Sequence, residues 1–223
     1  MALPRTDVIE GTTASLNRFE ALLRSLDDQA WQAPTRCEGW RVADVAAHVV
    51  GNMAIIAEGR SHEFGDPAHV DREVDARKGR TPNELADELS GAAKIGQDFL
   101  ALLDDNAWNG PPPADIPGTL GQGVEAIWYD VVVHTDDIRN ALGKGPERNP
   151  ADLRVSVSHI ADVLDQQDYK PTTIALDGVE EFTVKGGGEQ ITGDPYDFIL
   201  VATGRKDAAS MGLDETINIY RPQ

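Results

Sequence analysis

The sequence is poor in several features that would place a chain in a large class of proteins. A single cysteine, Cys37, excludes an internal disulfide and fits a reducing cytoplasm. The longest apolar stretches, such as residues 42–50, contain polar or charged side chains and are far too short to span a bilayer. The first residues lack a basic segment followed by an apolar core, so we expect no signal peptide. These absences predict a soluble cytoplasmic protein.

Basic residues are also scarce. The chain has 20 Lys and Arg residues against 38 Asp and Glu residues, which gives a net charge of -18. This excess of negative charge opposes binding to the phosphates of nucleic acids or to anionic lipids. With 40% apolar residues in 223, the chain can form one large domain or two small ones, each with a core. We therefore predict a globular protein with a small-molecule partner, without nucleic acid or membrane partners. The oligomeric state is left open.

Apolar residues at helical spacing dominate the first two-thirds of the chain. They predict four long helices, at residues 7–27, 42–59, 82–103 and 123–142. Residues 61–79 are predicted to form a polar connector that acts as a mobile flap, and the segment 106–123, rich in Pro and Gly, is predicted to be a loop. Four such helices with these connectors predict an antiparallel four-helix bundle.

The pattern changes after Gly145-Pro146. Helices are predicted at residues 150–167 and 194–203, and short runs with β-branched residues predict strands at 172–176, 181–185, 190–192 and 216–220. Gly186-Gly-Gly188 is predicted to be a turn, and it lacks the Lys-Ser/Thr that follows a phosphate-binding loop. The predicted fold is therefore mainly α, with a helical bundle at residues 1–145 and a small α+β domain at residues 146–223.

Two of the predicted helices carry side chains that can bind a metal ion. In the fourth, Asp130 and His134 lie one turn apart beside apolar positions, so both should point to the interior of the bundle. In the second, His48 borders the apolar stripe, and an antiparallel bundle can bring it opposite that pair. Two imidazoles and one carboxylate are a suitable ligand set for a divalent ion. Asp44 or Asp137 is predicted to fix the tautomer of an imidazole.

Spacing alone leaves simpler explanations open. An Asp and a His four residues apart often form only a surface interaction, and a histidine on a semi-apolar face is usually a hydrogen-bonded core residue. We interpret Cys37 as structural, because no imidazole lies near it in the sequence. Trp40 and Trp128 are interpreted as core residues or as a pocket wall. Arg205 is a candidate to bind a substrate carboxylate, with a surface salt bridge as the alternative.

Two segments resemble the mycothiol-dependent maleylpyruvate isomerase family, which belongs to the DinB-like metal-binding four-helix bundles. Residues 36–48 are similar to its motif C-x-G-W-x-V-x-D-V-x-x-H, and residues 130–138 are similar to E-x-x-x-H-x-x-D-I. Residues 193–195 and 202–205 resemble its small C-terminal domain, so the resemblance spans nearly the whole chain. It implies that His48, Asp130 and His134 are the metal ligands. Asp130 departs from the usual glutamate, and its carboxylate reaches one methylene less.

The resemblance also implies a function. The cofactors would be a divalent ion, zinc, and mycothiol, the low-molecular-weight thiol of actinobacteria, as the thiol cosubstrate. A thiol bound to such an ion loses its proton near neutral pH, and the thiolate can add reversibly to a double bond. Departure of the thiolate gives cis–trans isomerisation, and its retention gives thiol S-transfer. Two other functions stay open: a binding or pathway-accessory module without the chemistry, and a hydrolase that uses metal-bound water.

Overall fold

The computed structural model describes residues 3–113, 116–167 and 169–221. The chain divides into two compact units, Arg5–Glu147 and Arg148–Gln223, and the described residues before Arg5 belong to the second unit. The first unit is helical, and the second combines helices with a small sheet. The predicted fold class, mainly α with a four-helix bundle and a small α+β part, is confirmed.

Four long helices build the first unit: α1 (Arg5–Arg24), α3 (Val42–Ala57), α5 (Pro82–Leu102) and α7 (Leu120–Ala141). Three short helices lie between them: α2 (Asp28–Trp31), α4 (His69–Ala76) and α6 (Asp105–Asn109). Thr81 and Thr119 begin α5 and α7 with capping boxes, in which their side chains accept from the backbone three residues ahead. Among the described residues, no helix is both long enough and apolar enough to cross a membrane.

Contacts near the helix ends show how the long helices run. Arg5, at the start of α1, donates to the Leu103 carbonyl just after α5. Cys37, ahead of α3, contacts Asp137 near the end of α7. The pairs α1–α5 and α3–α7 are therefore antiparallel.

Helices α3 and α5, by contrast, run in the same direction. Ahead of both helices, Trp31 Nε1 donates to the Arg80 carbonyl over 3.1 Å. Further along, a Cβ at Gly96 of α5 would lie 3.7 Å from Met53 Cε of α3. Because α3 rises by about 24 Å over its length, the chain must return along the bundle before α5 begins. The segment between residues 58 and 81 makes this return.

The polar connector predicted at residues 61–79 contains two helices that the sequence does not predict. The segment forms a 3₁₀ helix, Ser61–Gly65, followed by α4. Its charged residues form ion pairs: Arg77 is buried and contacts Glu73 of the same segment and Glu88 of α5. Helix α4 lies so close to α3 that a Cβ at Gly51 would be 2.6 Å from Glu73 Cβ. Ion pairing thus lets a polar segment form helices with little apolar area. We also predict from the sequence that this segment is mobile and lies beside the mouth of the candidate metal site.

The predicted loop at residues 106–123 is also shorter than expected. Helix α6 occupies its first residues and buries Trp108, and α7 begins at Leu120. A Cβ at Gly121 would lie 2.6 Å from the Trp108 ring, so α6 packs closely against the start of α7. Residues 114 and 115 of this loop lie outside the described residues.

Helices α1 and α7 approach each other closely at Gly11. A Cβ there would lie 2.0–2.5 Å from three ring carbons of Trp128, which is buried in the core. We expect Gly11→Ala to lower the free energy of unfolding by at least about 1–3 kcal/mol, because the Trp128 ring is packed in the core and cannot move away from the added methyl group. Gly91→Ala in α5 is the control: its Cβ would meet nothing within 4 Å, so it should raise that free energy by about 0.5–1 kcal/mol. Urea unfolding measures both, and equal shifts would contradict this packing.

The second unit contains a three-stranded sheet and two α-helices. Its elements are α8 (Pro150–Gln166), β1 (Thr172–Leu176), β2 (Phe182–Val184), β3 (Glu189–Gly193) and α9 (Pro195–Ala202). The strand order is β2-β1-β3, with β2 antiparallel and β3 parallel to β1. The turn before β3 crosses the start of β1: a Cβ at Gly188 would lie 2.2 Å from the Pro171 carbonyl oxygen. Only glycine fits this crossing.

The last predicted strand, residues 216–220, is wrong. This segment begins as a 3₁₀ helix, Glu215–Ile217, and the Ile219 amide donates to the Ala202 carbonyl rather than to a strand. Ile217 and Ile219 are both buried, so their alternation imitates a strand. Burial against the end of α9 produces the same period without sheet pairing.

Candidate metal centre

The three predicted ligands meet between α3 and α7. His48 Nε2 lies 3.3 Å from Asp130 Oδ1, and His134 Nε2 lies 3.5 Å from the same oxygen. The two imidazole rings are 4.9 Å apart between centroids and nearly perpendicular. The side chains of His48, His134 and Asp130 keep 10%, 13% and 22% of their surface exposed. The cluster is therefore largely enclosed, with Asp130 its most exposed member.

The spacing of these donor atoms fits one divalent ion. Zinc lies about 2.0–2.2 Å from imidazole nitrogens and carboxylate oxygens, so neighbouring ligand atoms around it lie about 3.0–3.6 Å apart. Both nitrogen–oxygen distances fall in this range, and the three ligand atoms all lie within 4.8 Å of one another. The chemistry also fits, since two imidazoles with one carboxylate leave positions for further ligands.

The charges of the cluster compensate one another. Burial alone would raise the pKa of Asp130, but the His48 and His134 imidazoles outweigh burial and hold this pKa well below its ordinary value. Burial alone would lower the pKa of His134, but Asp130 and then Asp137 hold it well above its ordinary value. In the metal-free protein Asp130 is thus ionised and His134 is protonated. An ion that binds the His134 Nε2 atom must displace a proton.

Asp137 supports His134 from the other side of the ring. Its Oδ2 lies 2.9 Å from His134 Nδ1, and its side chain is fully buried. When an ion displaces the Nε2 proton, the proton that remains on Nδ1 faces Asp137 and leaves the Nε2 lone pair free to bind the ion. The structure therefore places Asp137 where it can fix the tautomer of this imidazole, in the arrangement that the sequence predicted.

The structure does not bring Asp44, the other residue predicted for this role, to an imidazole. Its Oδ2 accepts the Arg41 backbone N–H over 2.9 Å at the start of α3. Asp44 lies one turn before His48, so spacing alone could not separate the two roles. At the third helical position, the unpaired backbone N–H groups of the helix start are the nearest donors.

Two further residues lie at the site, Arg36 and Cys37, and the sequence predicts no role there for either of them. Arg36 Nε donates to Asp137 Oδ1 over 2.6 Å, and its Nη2 donates to Asp136 Oδ2. Cys37 Sγ lies 3.2 Å from Asp137 Oδ2, the oxygen that also faces His134. Cys37, His134 and Asp137 thereby form a second group of donor atoms within 4.8 Å of one another. The structural interpretation of Cys37 was incomplete, because an imidazole lies near it in space.

A tight turn positions Arg36 and Cys37 ahead of α3. The Thr35 amide donates to the Trp40 carbonyl, and the Trp40 amide donates to the Cys37 carbonyl. Gly39 has a φ of 80°, a left-handed conformation that favours glycine. The Gly-Trp pair of the motif thus shapes the turn, and the Trp40 ring lies 5.4 Å from the His48 ring as part of the site wall.

Helix α3 adds one more polar residue, Asn52, one turn after His48. Its Nδ2 donates to Asp130 Oδ2 over 3.2 Å and lies 3.4 Å from His48 Nε2. Asn52 Oδ1 and His48 Nδ1 are buried without a hydrogen-bond partner among the described residues. The sequence held a signal for Asn52, since it shares a helix face with His48, but amides are common in such positions.

Arg205 lies in the second unit. Its Nη1 donates to the Thr203 carbonyl over 3.4 Å. Its role in binding a substrate carboxylate stays a prediction.

Comparison with known proteins decides the family. Residues 12–139, more than half of the chain, match the sequence profile of the Mycothiol maleylpyruvate isomerase N-terminal domain. This chain belongs to the mycothiol-dependent maleylpyruvate isomerase family. The matched region contains His48, Asp130 and His134, together with the Asp137 and Arg36 side chains that support them.

Individual relatives are distant. Two uncharacterized proteins of Mycobacterium tuberculosis strains, MT0763 and Rv0738, are each 26% identical over 132 residues, which are 59% of this chain. The match spans 65% of the length of those relatives, just under two thirds. Crystal structures of mycothiol-dependent maleylpyruvate isomerase and of a mutant of it give TM-scores of 0.70 and 0.68. They cover 96% and 92% of this chain and 96% and 90% of their own, and at 14% identity they show a shared fold.

Proposed function

We propose that this protein is a metal-dependent enzyme that uses mycothiol, or a similar low-molecular-weight thiol, to isomerise a small electrophilic substrate between cis and trans forms. The observation that carries the proposal is the convergence of His48 Nε2, His134 Nε2 and Asp130 Oδ1 within the region that matches the family. Zinc is the proposed ion, because it favours two imidazoles with one carboxylate and leaves a position for a thiol.

The protein side chains prepare the site for this chemistry. His48, Asp130 and His134 would hold a divalent ion, and that ion would lower the pKa of a coordinating thiol so that a thiolate is present near neutral pH. Asp137 holds the His134 ring with Nε2 directed inward. Arg36 compensates the negative charge of the buried Asp137 carboxylate. The partial exposure of Asp130 and His134 gives small molecules an approach to the cluster.

The proposed reaction conserves all atoms and electrons of the substrate. The thiolate sulfur adds to one carbon of a cis double bond conjugated with a carbonyl, and the electron pair of that double bond moves towards the carbonyl oxygen. The former double bond is then single and can rotate. Return of the electron pair expels the thiolate and leaves the trans isomer. With an electrophile whose adduct does not expel the thiolate, the same first step gives S-transfer.

The site geometry favours an enzyme over an accessory module that has lost its chemistry. A degenerate bundle has no need to keep two imidazoles and a carboxylate at ligand spacing, with a buried Asp137–Arg36 pair behind one of them. The shorter Asp130 does not open the cluster, since its Oδ1 lies within 3.5 Å of both imidazole nitrogens. These contacts support retention of metal chemistry.

The test is turnover of maleylpyruvate by the zinc-loaded protein, with and without mycothiol, followed by product analysis. We expect isomerisation that requires both zinc and the thiol, that stops after treatment with a chelator and that returns when zinc is restored. A stable thioether product would instead assign S-transfer. Hydrolysis without any thiol would assign a hydrolase, and failure to retain zinc would favour the accessory module.

A further inference from the structure

We propose that Asn52 is a positioning residue that turns the Asp130 carboxylate so that only one of its oxygens, Oδ1, meets the metal ion. The inference rests on the proposed metal-dependent function and adds a residue to its site. Asn52 and His48 lie one turn apart on α3, opposite Asp130 and His134, which lie one turn apart on α7. Asn52, His48 and His134 all contact the Asp130 carboxylate between the two helices.

The two oxygens of Asp130 have different neighbours. Oδ1 lies 3.3 Å and 3.5 Å from the ligand nitrogens of His48 and His134. Oδ2 accepts a hydrogen bond from Asn52 Nδ2 over 3.2 Å. One oxygen of the carboxylate thus faces the two imidazoles, and the other faces the Asn52 amide.

Electrostatics fixes which end of the amide faces Asp130. If the amide were reversed, its Oδ1 would replace the donor and stand beside an ionised carboxylate oxygen, so that two acceptors would repel each other. The orientation in the structure avoids this but leaves Asn52 Oδ1 buried without a partner among the described residues. Burial of that oxygen opposes folding, so the favourable contacts of this side chain are those of Nδ2: the hydrogen bond to Asp130 Oδ2 over 3.2 Å and the longer contact with His48 Nε2 at 3.4 Å.

This hydrogen bond has a consequence for the metal site. A carboxylate can bind an ion through one oxygen or through both. An Oδ2 held by Asn52 leaves Oδ1 as the single oxygen ligand. Three protein ligand atoms then surround the ion, and a further position stays open for the thiol and the substrate, as in catalytic zinc sites. Without Asn52, the carboxylate is free to rotate away from this geometry.

The experiment is a zinc-affinity measurement on the full chain, by competition with a chromophoric chelator and zinc alone. Removal of a side chain that orients a metal ligand typically lowers affinity by about 10–100-fold, and we expect this loss for Asn52→Leu. In an Asp130→Ala background, the same substitution should change affinity by less than about twofold, because Asn52 acts through Asp130. The matched control is Thr135→Val, which removes another buried polar group of the bundle, a hydroxyl that donates to the Val131 carbonyl. It should leave affinity within about twofold.

Equal affinity of the wild-type protein and Asn52→Leu would overturn the role of Asn52 and leave the proposed function intact. Failure of the wild-type protein to bind zinc would overturn both. If Asn52→Leu does not fold, a crystal structure of the zinc-loaded wild-type protein decides. Zinc bound by one Asp130 oxygen, with Asn52 Nδ2 on the other, supports the inference. Zinc bound by both oxygens or by Asn52 Oδ1 overturns it.

Discussion

Replacement of His134 by alanine is expected to weaken zinc binding by about 60- to 700-fold, with the helical content almost unchanged. Binding of zinc to a four-ligand site is worth roughly 10–16 kcal/mol, or about 2.5–4 kcal/mol for each ligand, and about 1.4 kcal/mol corresponds to a tenfold change. The bundle core does not depend on this imidazole, since Val131 and Ile138 of α7 are buried and apolar. Loss of His134 also removes one partner of Asp137 Oδ2, which keeps its contact with Cys37 Sγ.

The measurement pairs a zinc competition titration with circular dichroism of the helical signal. His69→Ala is the control, because His69 is a histidine of α4 whose ring nitrogen contacts the Asp66 carbonyl outside the cluster. We expect it to bind zinc as the wild-type protein does. If His134→Ala kept wild-type affinity, the ion would have to lie elsewhere, and the mechanism proposed above would fail.

Replacement of Arg36 by methionine is expected to lower the free energy of unfolding of the metal-free protein by up to about 3–5 kcal/mol, because it removes the arginine partner of the buried Asp137 carboxylate and leaves only His134 beside it. Arg36 contacts Asp136 and Asp137, and the Asp137 side chain is fully buried. Methionine keeps much of the length and apolar surface of arginine, so the loss of charge pairing dominates the effect. Zinc affinity should fall as well, because Asp137 orients His134.

Urea unfolding of the metal-free protein measures this change. Arg24→Met is the matched control: Arg24 also bridges two carboxylates, those of Glu20 and Asp87, but at the surface, where solvent screens the pairs. We expect a much smaller effect there. Similar small changes in both variants would show that the Asp137 carboxylate does not need Arg36.

Helical period and motif spacing predict the three candidate ligands but not the residues that surround them. His48, Asp130 and His134 lie on faces that the 3.6-residue period defines, and each matches a motif position. Arg36 and Cys37 lie in a turn without a period and reach Asp137 across about a hundred residues of sequence. Their side chains could be placed only once α3 and α7 were known to be antiparallel neighbours.

Helix direction was the main feature of the fold that the period could not supply. The periodicity of an amphipathic helix does not depend on the direction in which the helix runs. The sequence therefore predicts only a polar connector at residues 61–79. Because α3 and α5 run in the same direction, this segment must cross the bundle, and its Glu73–Arg77 pair is buried on the way. At the other end of the chain, the period was misleading. Ile217 and Ile219 alternate as in a strand, but this segment pairs with no neighbouring strand among the described residues.

X-ray absorption spectroscopy of the zinc-loaded protein, combined with elemental analysis, tests the central claim most directly. We expect one zinc ion per chain, bound at about 2.0–2.2 Å by nitrogen and oxygen atoms that include two imidazoles, without sulfur when no thiol is added. Addition of mycothiol should introduce one sulfur ligand at about 2.3 Å, in the wild-type protein and in Cys37→Ser alike. Absence of stoichiometric zinc would contradict the account. A sulfur ligand before any thiol is added would also contradict it, because it would place the ion at Cys37, His134 and Asp137 instead.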